Sequence, residues 1–144
     1  MIKVGHWIGQ YKFDKEAHQK MTGFDSTNFE IEIINVDNNF FRGKVQDDIT
    51  TGGTEGIGEI QGEVTGDIVK FVKQMPVMTL LIGKNGTRKT LNKKHRKIYY
   101  SGKFSGDKKS ISGHWRFKFG FIWFGLIPIP VTPTRGTWTM KLKE

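Results

Sequence analysis

Apolar and polar residues alternate along eight stretches of this chain, with no helical pattern between them. Alternation with a period of two is typical of a β-strand that has one buried face. The stretches cover residues 6–13, 28–34, 40–46, 57–64, 68–74, 98–104, 110–119 and 137–142. Their number and order predict an all-β fold, an eight-stranded antiparallel up-and-down (meander) β-barrel, formed by residues 1–144 as a single domain.

The same alternation assigns side chains to the inside of the barrel. Barrels of eight strands are either filled by side chains or hold one small ligand. Glycines recur at inward positions, where they make room for bulky neighbours and leave space for a ligand. The inward residues that we expect to line a cavity are Trp7, Tyr11, Phe71, Lys73, Tyr100 and Trp115.

Lys73 is the charged member of this inward set. It shares a face with Val69 and Phe71 near the end of its strand. We expect its ammonium to extend past the barrel rim into solvent, as long basic side chains commonly do. The alternative is a desolvated lysine that binds a carboxylate or forms a Schiff base.

The long connections of the predicted meander all lie at one end of the barrel, which is the usual place for function on a rigid scaffold. One of them, 84–97, is basic, with Lys93, Lys94, Arg96 and Lys97 as candidate anion ligands at the rim. It is either a solvated loop or a site for an anionic group. Lys84-Asn85-Gly86-Thr87 predicts a small hairpin turn between 79–82 and 88–91.

A second long connection, 121–131, is apolar throughout. Its two prolines exclude a regular helix or a central strand over its second half. An exposed apolar segment must cover something, namely its own barrel mouth, another subunit or a membrane surface. The candidate lid or interface residues are Phe121, Trp123, Phe124 and Leu126.

Charge is divided unequally between the two halves of this basic chain, whose net charge is +9. Residues 1–67 contain six Lys/Arg and twelve Asp/Glu, whereas residues 68–144 contain seventeen Lys/Arg and two Asp/Glu. In a meander barrel the two halves form opposite walls. The sequence therefore predicts one acidic and one basic wall, a field that would steer an anionic partner to one side.

The first strand opens with Gly5-His6-Trp7, where lipocalins have Gly-x-Trp and avidins have Gly-Thr-Trp. Segments 68–73, 99–104 and 111–115 look like the last strands of an avidin barrel. The chain thus resembles the calycin-like barrels, which are the lipocalins, the fatty-acid-binding proteins and, most closely, the avidins. It is also similar to a group of small uncharacterised bacterial barrel proteins. The resemblance implies a lipocalin-like ligand-binding barrel, although the polar residues with which avidins hold biotin are not evident.

Motifs for enzyme chemistry are missing from the sequence. The four histidines lack metal-ligand spacing, and neither a phosphate loop nor a serine-nucleophile signature occurs. We therefore expect a protein that is not an enzyme and needs no cofactor or metal. With no cysteine and no signal peptide, the sequence favours the cytoplasm.

Two functions follow as hypotheses. The first is a non-enzymatic barrel that binds a small apolar or amphipathic anionic ligand. The second is a filled barrel that forms a homo-oligomer through the apolar segment 121–131, with the basic segment 84–97 contacting an acidic partner. That partner would be a nucleic acid or a membrane surface. Nucleic acid is the less favoured of these, because the basic segment has no aromatic residue for base stacking.

Overall fold

The computed structural model of the chain describes residues 1–16, 19, 23–82, 87–91, 97–117, 120–131 and 134–144. Its strands are β1 (Gly5–Phe13), β2 (Thr27–Asp37), β3 (Phe40–Asp47), β4 (Ile57–Thr65), β5 (Ile68–Gln74), β6 (Met78–Ile82), β7 (Thr87–Leu91), β8 (Ile98–Phe104), β9 (Ser110–Phe117), β10 (Gly120–Phe124), β11 (Ile127–Val131) and β12 (Arg135–Leu142). A 3₁₀ helix, Ile49–Thr51, follows β3.

Eight of these strands form a closed antiparallel barrel in the order β1-β12-β9-β8-β5-β4-β3-β2. Each of the eight alternating stretches of the sequence coincides with one barrel strand, and the strands follow each other as a meander. The predicted all-β, eight-stranded up-and-down barrel is therefore confirmed. The strands form because alternate side chains are buried, as in β2, where Phe29, Ile31 and Ile33 point inward and the two glutamates between them point outward.

Aromatic rings fill the middle of the barrel. Phe71 and Tyr100 stack with their ring centres 4.6 Å apart, and the ring of Trp138 meets both edge-on at 5.3 and 5.4 Å. Trp138 also covers Gly102, where a Cβ atom would lie only 2.8 Å from the indole ring. The expectation that the inward glycines leave space for a ligand was wrong at Gly102, because the ring of Trp138 occupies that space.

The two ends of the barrel differ in how they are closed. Short turns join the strands at one end, where Ile2 is buried and the indole Nε1 of Trp7 donates a hydrogen bond to the Lys3 carbonyl at 3.0 Å. The long connections all leave from the other end, as predicted, and we call this end the mouth. Ile2 and Trp7 therefore fill the short-turn end of the barrel.

Two hairpins lie within the long connections. The predicted hairpin in the basic segment is present as β6 and β7, whose turn lies outside the described residues. The apolar segment, treated above as a loop, is instead a second hairpin in which β10 pairs with β11. Its prolines are tolerated because β11 has a partner on one side only, so that the missing N–H groups break no further ladder. Among the described residues, no helix is both long and apolar enough to cross a membrane.

One barrel wall carries the basic charge that the sequence predicts. Strands β5, β8, β9 and β12 lie side by side, and the charged side chains on their described outer faces are all basic: Lys70, Lys103, Arg116, Arg135 and Lys141. On the opposite wall, Glu30 and Glu32 face outward beside His6, whose Nδ1 lies 3.0 Å from the Glu30 carboxylate. The wall formed by β1–β4 is mixed in charge, because Lys12, Arg42 and Lys44 are also exposed on it.

Candidate functional site

A lysine and an aspartate meet inside the barrel near its mouth. The Nζ atom of Lys73 lies 2.6 Å from Oδ1 of Asp47, and both side chains are only 2% exposed. Lys73 comes from β5, and Asp47 is the last residue of β3, with β4 between the two strands. The inward parity of Phe41, Gly43 and Val45 continues to Asp47 and so turns its carboxylate into the barrel.

Other groups at the mouth contact this ion pair through hydrogen bonds and aromatic rings. The hydroxyl of Tyr11 donates to Oδ2 of Asp47 at 3.4 Å, and the backbone N–H of Thr54 donates to the same oxygen at 3.3 Å. The Lys73 ammonium lies 5.0 Å from the ring centre of Tyr11 and 5.9 Å from that of Phe29, within the range of a cation–π contact. The expectation that Lys73 extends into solvent was wrong, because Asp47 supplies a buried counter-charge.

The connection after β3 folds over this pair. Asp48 caps the 3₁₀ helix by accepting hydrogen bonds from the Thr50 backbone N–H and hydroxyl, which lower the pKa of its carboxyl. The Thr27 hydroxyl donates to the Thr51 carbonyl at 2.8 Å and so ties the connection to the start of β2. These bonds place the Thr54 N–H over the Asp47 carboxylate. The Asp47 carboxylate is thus held by a backbone N–H of this connection as well as by side chains inside the barrel.

A cluster of aromatic rings surrounds the mouth beside the ion pair. Trp115 is buried at its centre and meets Tyr11, Phe13 and Phe117 edge-on, with ring centres 5.9, 5.1 and 5.9 Å away. These three partners are half-buried, so part of their ring surface is exposed to solvent. We call Tyr11, Phe13, Trp115 and Phe117 the mouth cluster.

Cationic side chains stand at the rim around the mouth cluster. Lys97 immediately precedes β8 and is exposed. Arg135 begins β12 with an 82% exposed side chain, and its Nε lies 3.8 Å from a carboxylate oxygen of Asp14. The mouth therefore combines an apolar ring surface, a buried ion pair and exposed positive charge at its edge.

Tyr100 is buried beside the mouth, next to Tyr11 and Asp47. Burial raises the pKa of its hydroxyl well above the usual value, and the negative charges that Tyr11 and Asp47 carry when ionised raise it further. We expect the Tyr100 phenol to keep its proton in the folded protein at a pH at which an exposed tyrosine ionises. The ultraviolet absorbance of phenolate, followed during an alkaline titration, measures this directly.

The raised pKa of Tyr100 also determines how the free energy of unfolding changes with pH. Below a pH of about 10 the phenol is protonated in both the folded and the unfolded chain, so Tyr100 contributes no pH dependence. Above it the unfolded chain ionises first, and the free energy of unfolding falls as the pH rises. Tyr100→Phe should remove this loss, whereas Tyr99→Phe, on the outer face, should not. Ionisation of all three tyrosines together, before unfolding, would contradict the assignment.

A large hollow on the described surface does not coincide with the ion pair. It has a volume of about 1190 Å³ and lies along the outer wall, where residues of six barrel strands line it. Its charged side chains, which include Glu63, Lys70 and Arg116, are of both signs and all exposed to solvent. We place the candidate site at the mouth, because only there does the described structure hold charged groups away from water.

The structure brings together most of the residues that the sequence proposed for a cavity. Tyr11, Lys73, Tyr100 and Trp115 meet at the mouth, and Phe71 lies just below them. Trp7 points inward as predicted, but it lies at the closed end of the barrel. Asp47 was missed, because the strand that contains it was predicted to end one residue earlier.

The remaining predicted residues belong to the connections. Lys97 stands at the rim, whereas Lys93, Lys94 and Arg96 lie outside the described residues. Phe121, Trp123 and Phe124 lie in β10, where only the backbone is described. Leu126 is 94% exposed at the tip of the second hairpin.

No group of three or more metal-ligating side chains occurs in the part of the chain that the structure describes. Comparisons of the sequence and the fold with protein-family models, with curated proteins and with solved structures found no match. Any assignment of function therefore depends on the residues of the mouth themselves.

Proposed function

We propose that this protein is a non-enzymatic binding barrel and that its ligand is a small amphipathic anion held at the mouth. The observation that carries the proposal is the buried Lys73–Asp47 pair beneath a cluster of half-buried aromatic rings. The rings supply a surface for the apolar body of a ligand, and the ion pair supplies polar groups beneath it. Lipocalin-like barrels, which the sequence resembles, are an architecture that holds small ligands in this way.

The energetics of the ion pair support a role beyond folding. Removing two charges from water costs several kcal/mol per ion, and well-packed apolar residues of similar volume often stabilise a core as well or better. A barrel selected only for stability has no need of Lys73 and Asp47 at this position. The pair does provide a donor and an acceptor inside an otherwise apolar end of the barrel.

The preference for an anion comes from the rim. Because Asp47 neutralises the buried Lys73, we assign the ligand head group to the exposed cations Lys97 and Arg135. Arg135 would exchange its long, solvent-exposed contact with Asp14 for the ligand. Below the mouth, Phe71 and Trp138 fill the barrel and limit how deep a ligand can reach. The site therefore suits a short apolar body with a carboxylate or similar anionic head.

Decanoate and decanol form a probe pair that tests this proposal, since they share a chain and differ in charge. We expect decanoate to change the tryptophan fluorescence of the protein saturably, because Trp115 lies within the mouth cluster. Two exposed ion pairs are worth about 1 kcal/mol together, so decanol should bind about fivefold more weakly.

Paired charge variants show whether the cations of the rim cause the preference for decanoate over decanol. Lys97→Gln with Arg135→Gln should abolish the preference for decanoate over decanol. Lys103→Gln with Lys141→Gln, which removes the same charge at the short-turn end, should leave that preference intact. Absence of saturable binding by wild type, or equal binding of decanoate and decanol, would overturn the proposal.

A second candidate function is a filled barrel that acts through its surface. The packed rings in the middle of the barrel and the exposed tip residues Leu126 and Ile127 favour it. In this function the second hairpin joins copies of the chain, and the basic segment 84–97 contacts an acidic partner. Its signature is a stable oligomer that dissociates when the hairpin tip is made polar.

A further inference from the structure

The second hairpin, β10–β11, is apolar in sequence and has an exposed tip. Every residue from Gly120 to Val131 is apolar or glycine, so both faces of the ribbon are apolar. Leu126 is 94% exposed, Ile127 65% and Ile129 42%. Within the described structure, each of the two strands makes its main contacts with the other. We propose that this hairpin docks the protein on the surface of an anionic lipid bilayer.

The hairpin belongs to the connection between β9 and β12, which leaves the barrel at its mouth. Arg116 of β9 pairs with Arg135 of β12, and the Phe117 N–H donates to the Thr134 carbonyl at 2.8 Å just beyond them. Within the hairpin, the pairing runs from Gly120 opposite Val131 to Phe124 opposite Ile127. Five paired residues of strand span roughly 17 Å, which is enough for the tip to enter the headgroup and acyl boundary of a bilayer.

Charge favours an anionic surface as the occupant. The hairpin emerges from the basic wall, between the two strands that carry Arg116 and Arg135 at its base. The chain segment from residue 68 onward holds seventeen Lys/Arg against two Asp/Glu. Basic side chains next to an apolar insertion are the combination that binds anionic lipids, because the charges approach the headgroups as the apolar tip enters.

The prolines disfavour association of a second copy of the chain through the β11 edge. Strands associate edge to edge through unpaired N–H and C=O groups, and proline on an edge strand is one way in which proteins prevent this. β11 contains Pro128 and Pro130 among its five residues, so it lacks two of the donors that an added strand would need. An apolar bilayer needs no such donors.

Vesicle flotation tests the proposal with the full-length protein. We expect binding to vesicles of equimolar phosphatidylglycerol and phosphatidylcholine, and little binding to vesicles of phosphatidylcholine alone. High salt should weaken the binding, because the headgroup attraction is screened. Leu126→Ser with Ile127→Ser should reduce the partition coefficient at least about tenfold, since two exposed apolar side chains no longer enter the bilayer.

The matched control is Phe40→Ser. Phe40 is 63% exposed on the barrel at the short-turn end, so its replacement also removes exposed apolar surface, but far from the hairpin. This variant should bind vesicles as wild type does. The tip variant should also retain the decanoate response, because Leu126 and Ile127 are not in the mouth cluster, and this separates the docking proposal from the ligand proposal.

Three outcomes would overturn the docking proposal. They are absence of binding to the anionic vesicles, equal binding to vesicles of phosphatidylcholine alone, and unchanged binding by the tip variant. Sedimentation without lipid shows whether a second copy of the chain binds the hairpin instead. An oligomer that the tip variant dissociates and that does not bind vesicles would assign the hairpin to a second copy of the chain.

Discussion

Replacing Asp47 with alanine should destabilise the folded barrel by about 3–5 kcal/mol, because it leaves the Lys73 ammonium buried without a counter-charge. Lys73 is 2% exposed and lies among the rings of Tyr11 and Phe29, so its charge cannot be rehydrated without opening the mouth. Equilibrium unfolding in urea measures the loss as a lower transition midpoint. It should be among the largest effects of any single substitution at the mouth.

A double variant separates the loss of the pair from the burial of a lone charge. Lys73→Met together with Asp47→Leu replaces both charges with apolar groups, and we expect it to recover most of the lost stability, to within about 1 kcal/mol of wild type. If Asp47→Ala alone unfolds at the wild-type midpoint, the pair is not buried as described. The double variant should also weaken decanoate binding, since the polar groups beneath the ligand are gone.

Trp138→Ala is expected to cost about 3–5 kcal/mol of folding free energy, the usual range for removing a large buried aromatic side chain. Trp138 is 3% exposed, meets the rings of Phe71 and Tyr100, and donates its indole N–H to the His114 carbonyl at 3.0 Å. Its removal leaves a cavity over Gly102 that the stiff barrel walls cannot close. Urea unfolding again gives the magnitude.

Phe40→Ala is the control for this prediction. Phe40 is an exposed aromatic residue of a barrel strand, and its replacement should change the free energy of unfolding by no more than about 0.5 kcal/mol. A Trp138→Ala variant as stable as Phe40→Ala would show that the middle of the barrel is open rather than packed. Phe71 and Trp138 would then set no limit on how deeply a ligand enters the barrel.

Much of this fold could be predicted from the sequence because the alternation in the barrel strands is almost unbroken. In β3 and β4, each inward position except Asp47 is apolar or glycine, so parity alone assigns the faces. The long and short connections then fix which strand ends meet at the mouth. This is why Tyr11, Lys73, Tyr100 and Trp115 could be placed together without a structure.

The environment of Lys73 could not be predicted in the same way. Parity directs Lys73 inward, but whether its ammonium stays there depends on a partner 26 residues earlier in the chain. The partner, Asp47, stands at a strand end, where an acidic residue equally suits a turn. Continuing the inward parity of Val45 by one more step was the available signal, and the register across β4 then brings the two residues together.

The second hairpin could not be predicted from the sequence for a different reason. Proline excludes a central strand from the second half of residues 121–131, but it is compatible with the edge strand β11 that forms there. Continuous apolar character also hides the period of two that revealed the barrel strands. Only the pairing of Phe124 with Ile127 around Gly125, whose φ is 61°, identifies the turn.

Mapping the decanoate site by amide NMR tests the central claim most directly. The account predicts saturable shifts of amides at the mouth, among them those of Phe13, Thr54, Lys97 and Phe117, with the turns at Asn38 and Gly66 unchanged. Shifts confined to the outer wall or to the second hairpin, or no saturable shifts at all, would contradict a ligand site at the mouth of this barrel.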